Sequence, residues 1–137
     1  EPEMFITFFT GRFNPRDGSF TYVNAGHNPP LLIRRDCSVQ RLSRGGLLLG
    51  YTGEVDYQSG KVTIQPGEKI VMYTDGVTEA MDASERELGE EEIVKAAGEC
   101  ISESAGDTAD RLESLVLSHH GSEDLYDDMT LLVLGRK

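Results

Sequence analysis

The sequence predicts an α+β domain in which antiparallel strands come first and two helices come late in the chain. Short apolar segments separated by turn residues occupy residues 4–73, a pattern typical of hairpins. Apolar residues then recur at helical spacing in two segments between residues 93 and 116. A last apolar run at residues 131–134 predicts a returning strand. The helices are therefore expected to be an excursion between two strands.

The strands of the first half are predicted from apolar runs and turns. Residues 4–9 are the predicted first strand, and both of their alternating sets are largely apolar, so both faces would need cover. Residues 14–18 contain Asn, Pro, Asp and Gly and predict a turn, after which the chain should return through residues 19–24. Further strands are predicted at residues 31–33, 38–42 and 61–64.

Charge and apolar spacing define the two helices. The first follows three glutamates at residues 90–92, whose charges suit the positive end of a helix. Its apolar positions are Ile93, Ala96, Ala97, Cys100 and Ile101. Either Asp107 or Thr108 is expected to cap the second helix, and Gly121 to end it. The apolar face of this helix consists of Ala109, Leu112, Leu115 and Val116.

Composition limits the classes of function. The chain of 137 residues suffices for one domain, and its net charge of −11 argues against a surface for nucleic acid or anionic membrane, because both need clustered Lys and Arg. Cys37 and Cys100 have no ligand-type spacing and form no disulfide framework, which fits a reducing cytoplasm. No apolar stretch approaches the length of a membrane span. We therefore expect a cytoplasmic domain that binds neither nucleic acid nor membrane.

The candidate functional residues begin at Asp75, which follows the apolar strand predicted at residues 70–73. One reading of Asp75 and Gly76 is a plain turn, since Asp-Gly is a common hairpin signal. The other is that the strand presents the carboxylate, while Gly76 lets the backbone turn away without crowding what the carboxylate faces. Residues 77–81 do not alternate as a returning strand should, which favours the second reading.

A second pair of carboxylates, Asp127 and Asp128, precedes the last predicted strand. Adjacent carboxylates repel each other unless a positive charge lies beside them, and a hard cation such as Mg²⁺ or Mn²⁺ would supply that charge. The alternative is a solvated acidic loop. The predicted topology brings Asp75 and Asp127 together although they are far apart in the sequence.

Three motifs carry a resemblance to a known family. They are the segments YTDGVTEA at residues 73–80, DDMTLLV at 127–133 and YVNAGHNPP at 22–30. Together they resemble the SpoIIE/RsbU-like bacterial branch of the metal-dependent serine/threonine phosphatases, the protein phosphatase 2C or PPM family. The resemblance runs from Met4 to Leu134.

The resemblance implies a fold and a domain organisation. The fold implied is an antiparallel β-sandwich with helices, in the layer order α-β-β-α. Family members carry an upstream Gly-Asp-Val-x-Gly-His-Gly type segment whose aspartate bridges two metals, followed by covering helices. We therefore expect residues 1–137 to be a single partial domain, the C-terminal two-thirds, which lacks the N-terminal strands and a helical layer. Alone, this portion is expected to be nearly inactive.

The resemblance also implies a metal site. Asp75 matches the aspartate that coordinates a pair of Mn²⁺ or Mg²⁺ ions from the strand end, and Asp127 matches the aspartate that completes the shell of one ion. Gly76 matches a glycine whose backbone carbonyl helps to ligate a metal. Asp128 is expected to orient the site. Asp75 and Asp127 are therefore the predicted catalytic residues, and the predicted metal set is Asp75, Gly76, Asp127 and Asp128.

The reaction implied is hydrolysis of phosphoserine or phosphothreonine on a protein by a metal-activated water. By family association the substrate would be a small phosphorylated anti-sigma-factor antagonist. The alternative is a non-catalytic docking or dimerisation module, but the retained Asp75 and Asp127 favour the enzyme. A sandwich without its cover should expose apolar surface, so we expect a homodimer. We expect Phe5, Ile6, Phe8 or Phe9 to contribute to its contact.

The histidines need separate interpretation. His27 lies in the motif at residues 22–30 and either supplies a catalytic imidazole or sits in a tight connector. The resemblance assigns it no catalytic role. His119 and His120 are neighbours near a predicted helix end and point apart, so a shared metal is not expected and both are predicted to be exposed.

Overall fold

The structure is a computed structural model that describes residues 4–51, 53–99, 102–121 and 128–137. Within these ranges two four-stranded sheets pack face to face, and helices cover the outer face of one of them. The predicted α+β class with antiparallel sheets is confirmed. In chain order the elements are β1 (Phe8–Phe13), β2 (Ser19–Ala25), β3 (Leu31–Ile33), β4 (Val39–Arg41), β5 (Gly45–Gly46), β6 (Gly60–Thr63), β7 (Lys69–Tyr73), α1 (Asp75–Thr78), α2 (Glu90–Glu99), α3 (Ala105–His120) and β8 (Leu131–Gly135).

The first sheet is organised around β2, whereas the second has two inner strands, β3 and β7. In the first sheet, β2 pairs antiparallel with β1 on one side, and on the other side antiparallel with β6 and parallel with the short β5. The second sheet has the order β4-β3-β7-β8, with every pair antiparallel. Strand β7 lies inside it, and four of its five residues are buried. This confirms the strand predicted to be covered on both faces.

Two apolar cores hold these layers together. The core between the sheets consists of Phe20, Tyr22, Leu32, Leu42, Ile64 and Ile70. The core between the second sheet and the helices includes Leu31, Ile33, Val71, Ile93 and Leu112. The neighbours Ile70 and Val71 point into different cores because successive residues of a strand face opposite sides. Burying each such side chain contributes about 1.5–3 kcal/mol.

The start of α3 differs from the prediction. Its N-cap is Ser104, whose hydroxyl accepts a hydrogen bond from the N–H of Asp107 at 3.1 Å. Asp107 is the reciprocal partner in this capping box, so neither it nor Thr108 is the cap. Gly121 ends the helix as predicted, with a φ of 77° that favours glycine.

The first predicted helix is α2, which begins at Glu90, and the three glutamates lie in its first turn, at the positive end of the helix, as predicted. The predicted apolar positions Cys100 and Ile101 lie outside the described residues. Within the part of the chain that the structure describes, every helix is too short or too polar to cross a membrane.

The predicted position of the first strand is wrong. Strand β1 is Phe8–Phe13 rather than residues 4–9, because the turn sets Phe13 opposite Phe20 and the pairing extends backwards from there. Upstream, Ile6 makes an isolated pairing with Leu49 through backbone hydrogen bonds of 2.9 and 2.8 Å. Phe9 packs in the core between the sheets, with its ring centroid 5.6 Å from that of Tyr22. Phe9 is therefore half-buried, and part of its surface is already packed within one chain.

Candidate metal centre

The candidate site lies where β7 and β8 leave the second sheet at the same end. Their register pairs Tyr73 with Leu131 as the last residues of the ladder. Just beyond, the N–H of Thr74 donates to the carbonyl oxygen of Thr130 at 3.1 Å, and the N–H of Thr130 donates to the Thr74 hydroxyl at 3.0 Å. The two strands therefore stay together up to the predicted site residues.

Asp75 is the first residue of α1, and it is exposed. One of its carboxylate oxygens accepts a hydrogen bond from the N–H of Gly76 at 3.0 Å. Its backbone carbonyl accepts from the Thr78 hydroxyl at 3.1 Å and from the N–H of Glu79 at 2.8 Å. The chain thus enters a helical turn at Asp75, as the absence of alternation after this residue predicted.

Gly76 lies directly against the backbone of Asp128. A Cβ on Gly76 would lie 2.6 Å from the carbonyl oxygen of Asp128 and 3.1 Å from its carbonyl carbon. The Thr74 hydroxyl donates to the same oxygen at 3.4 Å. Glycine is therefore needed here for the close approach of two backbones, a reason that the sequence alone does not reveal.

The structure brings Asp75, Gly76 and Asp128 to one end of the second sheet, whereas Asp127 lies outside the described residues. Asp128 is exposed. In the described ranges no three His, Cys, Asp or Glu side chains group as metal ligands. The donors present are carboxylate and carbonyl oxygens, which suit a hard cation such as Mg²⁺ or Mn²⁺. The four-residue metal set stays a prediction.

A cleft of about 280 Å³ opens beside these residues, and Thr74, Thr130 and His27 contribute to its wall. The Nδ1 atom of His27 lies 3.1 Å from the Thr7 hydroxyl. The buried side chain of Asn24 donates to the carbonyl oxygen of His27 at 2.9 Å and accepts from its N–H at 2.8 Å. These contacts favour the tight connector over the catalytic imidazole for His27.

A hairpin at residues 81–87 follows α1. Met81 pairs with Glu87, and the N–H of Asp82 donates to the carbonyl oxygen of Arg86 at 2.9 Å. The Arg86 guanidinium donates to the Asp82 carboxylate at 2.7 and 2.9 Å. This charged hydrogen bond lowers the pKa of Asp82 to about 2.

Both histidines at the end of α3 contact this hairpin, which corrects the prediction that they are exposed. His119 and His120 are half-buried. The Nε2 atom of His119 lies 2.9 Å from the carbonyl oxygen of Arg86, and the Nδ1 atom of His120 lies 2.7 Å from that of Met81. A carbonyl oxygen can only accept, so each ring donates from that nitrogen. The sequence signal was a pair of histidines in a last helical turn, but only the tertiary fold supplies their partners.

A buried tyrosine connects the strand before Asp75 to α2. The hydroxyl of Tyr73 donates to the Glu90 carboxylate at 3.0 Å, and the Arg41 guanidinium donates to the same carboxylate at 3.2 Å. Burial and the negative charge of Glu90 raise the pKa of Tyr73 above its usual range. The end of β7 is therefore attached both to the start of α2 and to β4.

Comparison with known proteins gives a match over the whole chain. The family model described as stage II sporulation protein E (SpoIIE) matches residues 1–137. The phosphoserine phosphatase RsbU of Bacillus subtilis (strain 168) is 32% identical over 138 residues. That similarity covers 100% of this chain and 41% of RsbU, so the chain spans less than half the length of this relative.

Solved structures share the fold. The crystal structure of the RsbU and RsbW domains of a Mycobacterium tuberculosis protein matches with a TM-score of 0.75 at 29% identity, over 96% of this chain and 36% of that one. The Mn-presoaked phosphatase domain of SpoIIE from Bacillus subtilis matches with a TM-score of 0.69 at 19% identity, over 94% of this chain and 56% of that one. At that identity the second comparison shows the fold alone.

Proposed function

We propose a function from the premise that the chain belongs to the stage II sporulation protein E family, a family of PPM-type serine/threonine phosphatases. Residues 1–137 are the C-terminal part of a metal-dependent protein phosphatase domain. They supply one side of a site that hydrolyses phosphoserine or phosphothreonine on a regulatory protein.

One observation carries the proposal: β8 begins beside the end of β7, so Asp75 and Gly76 lie next to Asp128. Two hydrogen bonds between Thr74 and Thr130, one between the backbones and one accepted by the Thr74 hydroxyl, fix both strand ends next to these residues. A binding site on rigid strand ends holds its ligands more accurately than one on a long loop. This geometry supports a cation site on the second sheet.

The proposed metal ligands are Asp75 and Asp127, with the carbonyl oxygen of Gly76, while Asp128 orients the site. Two Mn²⁺ or Mg²⁺ ions, when bound, would lower the pKa of a water and stabilise charge on the phosphoryl oxygens. The chain's own contribution is to present oxygen ligands in a fixed place. The N–H of Gly76 orients the Asp75 carboxylate for this role.

The proposed substrate is a phosphorylated protein. The relative RsbU is named a phosphoserine phosphatase, which supports phosphoserine as the group removed. The finer proposal, a small anti-sigma-factor antagonist, rests on the resemblance to the stress-response branch of the family. The net charge of −11 disfavours nucleic acid as a partner.

The test uses the natural protein that contains this chain. Phosphate release from a phosphoserine protein and from p-nitrophenyl phosphate is measured against Mn²⁺ and Mg²⁺ concentration, with and without a chelator. Asp75→Asn should lower turnover about 100-fold or more, because activity falls 10–100-fold even when only an outer partner of a metal ligand is lost. Asp110→Asn, the same change at an exposed position of α3, should leave turnover unchanged.

Turnover that needs no metal, or that survives Asp75→Asn, would refute the proposal. The 137-residue chain alone is expected to be nearly inert. If it hydrolyses phosphate esters with Mn²⁺, and Asp75→Asn abolishes this activity, then this chain holds a sufficient site by itself.

A dimerisation function is favoured by a group of exposed apolar side chains, which we call the N-terminal patch. Its members are 37–82% exposed: Met4, Phe5, Ile6, Phe8, Leu47, Leu49 and Tyr51. The pairing of Ile6 with Leu49 joins their two segments. We assign this patch to a second copy of the chain, because a copy offers the same apolar side chains and the same short backbone ladder.

Sedimentation velocity at micromolar concentration tests this assignment. The chain should sediment as a dimer, and Phe5→Ser with Ile6→Ser should convert it to a monomer. Met81→Ser changes an exposed apolar residue outside the N-terminal patch and should leave the dimer intact. A wild-type monomer would exclude the homodimer and leave the patch to another segment of the natural protein.

A further inference from the structure

The two histidines at the end of α3 have no part in the proposed chemistry, yet both bond to the hairpin at residues 81–87. His119 bonds to the carbonyl oxygen of Arg86 at 2.9 Å, and His120 bonds to that of Met81 at 2.7 Å. These acceptors lie on opposite arms of the hairpin, on either side of its turn. The rings therefore hold the hairpin by both arms.

The hairpin is in turn bonded to α1. The N–H of Leu88 donates to the carbonyl oxygen of Ala80 at 2.9 Å, and the N–H of Gly89 donates to that of Thr78, the last residue of α1, also at 2.9 Å. The Thr78 hydroxyl donates to the carbonyl oxygen of Asp75 at 3.1 Å. These hydrogen bonds, joined by the backbone between them, connect the end of α3 to the first residue of α1.

Helix α1 depends on such outside contacts because it has four residues. One helical turn is unstable by itself, since nucleation fixes several dihedral angles for very few hydrogen bonds. On the β8 side the contact of Gly76 with Asp128 sets its position. The second contact, at Thr78, comes from Gly89, which follows the hairpin. Residues 83–87 of the hairpin are exposed and therefore add little packing of their own.

We propose that His119 and His120 are positioning residues of the candidate metal centre, acting through the hairpin at residues 81–87 to fix Asp75 relative to Asp128. This inference rests on the proposed metal-dependent function. Neither histidine touches the substrate or the metal. Both hold the segment that bonds to Thr78, the last residue of α1, while Gly76 near its start contacts Asp128.

The donating atoms define variants that separate this role from a general loss of stability. His119 donates from Nε2, and the side-chain nitrogen of glutamine can take that place. His120 donates from Nδ1, which the side-chain nitrogen of asparagine can replace. The pair His119→Gln with His120→Asn should therefore keep both hydrogen bonds. In the exchanged pair, His119→Asn with His120→Gln, the side-chain nitrogens lie at the wrong distance from the backbone to reach the two carbonyl oxygens. This pair is the matched control.

Amide hydrogen exchange on the natural protein tests the contact without any metal. Replacing both histidines by alanine should speed exchange at Glu79, Leu88 and Gly89 about tenfold, while the amides of β7 stay protected. The pair with the matching amides should restore slow exchange, and the exchanged pair should not. Unchanged exchange in the alanine variant would overturn the inference.

Calorimetric Mn²⁺ titration and turnover test the consequence for the site. The alanine variant should bind Mn²⁺ about tenfold more weakly, the low end of the range for groups that act through a ligand. The matching-amide pair should restore the affinity. A lower Tm with unchanged Mn²⁺ affinity would show a purely structural role and overturn the inference. A wild-type protein that binds no Mn²⁺ would refute both the proposed function and the positioning role of the histidines. Equal Mn²⁺ affinities in wild type and variants would refute the positioning role alone.

Discussion

Replacing Gly76 by alanine tests the backbone contact on which the candidate site depends. The new Cβ would lie 2.6 Å from the carbonyl oxygen of Asp128, whereas ordinary contact begins at 3.4 Å. The backbone of Asp128 or the start of α1 must therefore move by about 0.8 Å, a shift that a close-packed interior resists. Val77, the next residue, is fully buried, so α1 cannot move outward without disturbing the core.

Forcing one methyl group into such a contact costs about 1–3 kcal/mol. We expect Gly76→Ala to lower the free energy of unfolding by about 2 kcal/mol, measured by urea denaturation of the natural protein. The displacement also moves Asp75 relative to Asp128, so Mn²⁺ affinity should fall about tenfold. Both effects come from one geometric cause and should appear together.

Gly106→Ala is the matched control, because it makes the same chemical change where there is room. Gly106 lies in α3 and is exposed, and a Cβ there would lie 3.8 Å from the Ser104 hydroxyl oxygen, an ordinary contact. Alanine there should raise stability by about 0.5–1 kcal/mol through its helix propensity. If Gly76→Ala is as stable as wild type and binds Mn²⁺ equally well, the contact with Asp128 is not tight and this reasoning is wrong.

Three further changes have defined outcomes. Tyr73→Phe removes the hydrogen bond to Glu90 and should lower the free energy of unfolding by about 1 kcal/mol, measured by urea denaturation. Because the pKa of Tyr73 is raised in the fold, the stability that Tyr73 contributes should persist below pH 10 and be lost as the pH rises further. The variant should not show this loss of stability at high pH. The pKa of Asp82 is lowered to about 2, so its titration followed by NMR should have a midpoint near pH 2. The stability that Asp82 contributes is therefore present above pH 3.8 and lost as the pH falls towards 2. Arg86→Gln should raise the midpoint of the Asp82 titration. Ser104→Ala removes the cap of α3 and should lower stability by about 1 kcal/mol, whereas retention of full stability would argue against the capping box.

The buried strands of the second sheet could be predicted because they consist of apolar residues. Strand β7 is an unbroken apolar run between a turn and a carboxylate, and the structure covers it on both faces. Strand β1 could not be placed correctly from the same type of signal, because its register is set by the turn that pairs Phe13 with Phe20. The apolar residues before it resemble a strand in composition, but among the described residues Ile6 makes only an isolated pairing with Leu49.

The candidate site was predictable where its signal is local. Asp75 and Gly76 follow a recognisable strand, and the residues after them lack the alternation of a returning hairpin. The reason for Gly76 was not local, since its neighbour Asp128 is distant in sequence. The partners of His119 and His120 are backbone carbonyl oxygens, which carry no residue identity that a sequence pattern could reveal.

The position of Asp75 is therefore a tertiary property, although the motif that identifies it is local. The DGVT sequence of α1 is too short to form a stable helix alone, and its glycine lowers the helix propensity further. Two contacts, that of Gly76 with Asp128 before β8 and that of Thr78 with Gly89 after the hairpin, help to decide where the turn lies. Val77 anchors this segment in the core, and because both supports act on the same four residues, weakening one leaves more of the positioning to the other. Changes to Gly76 and to His120 should for this reason have non-additive effects on metal affinity.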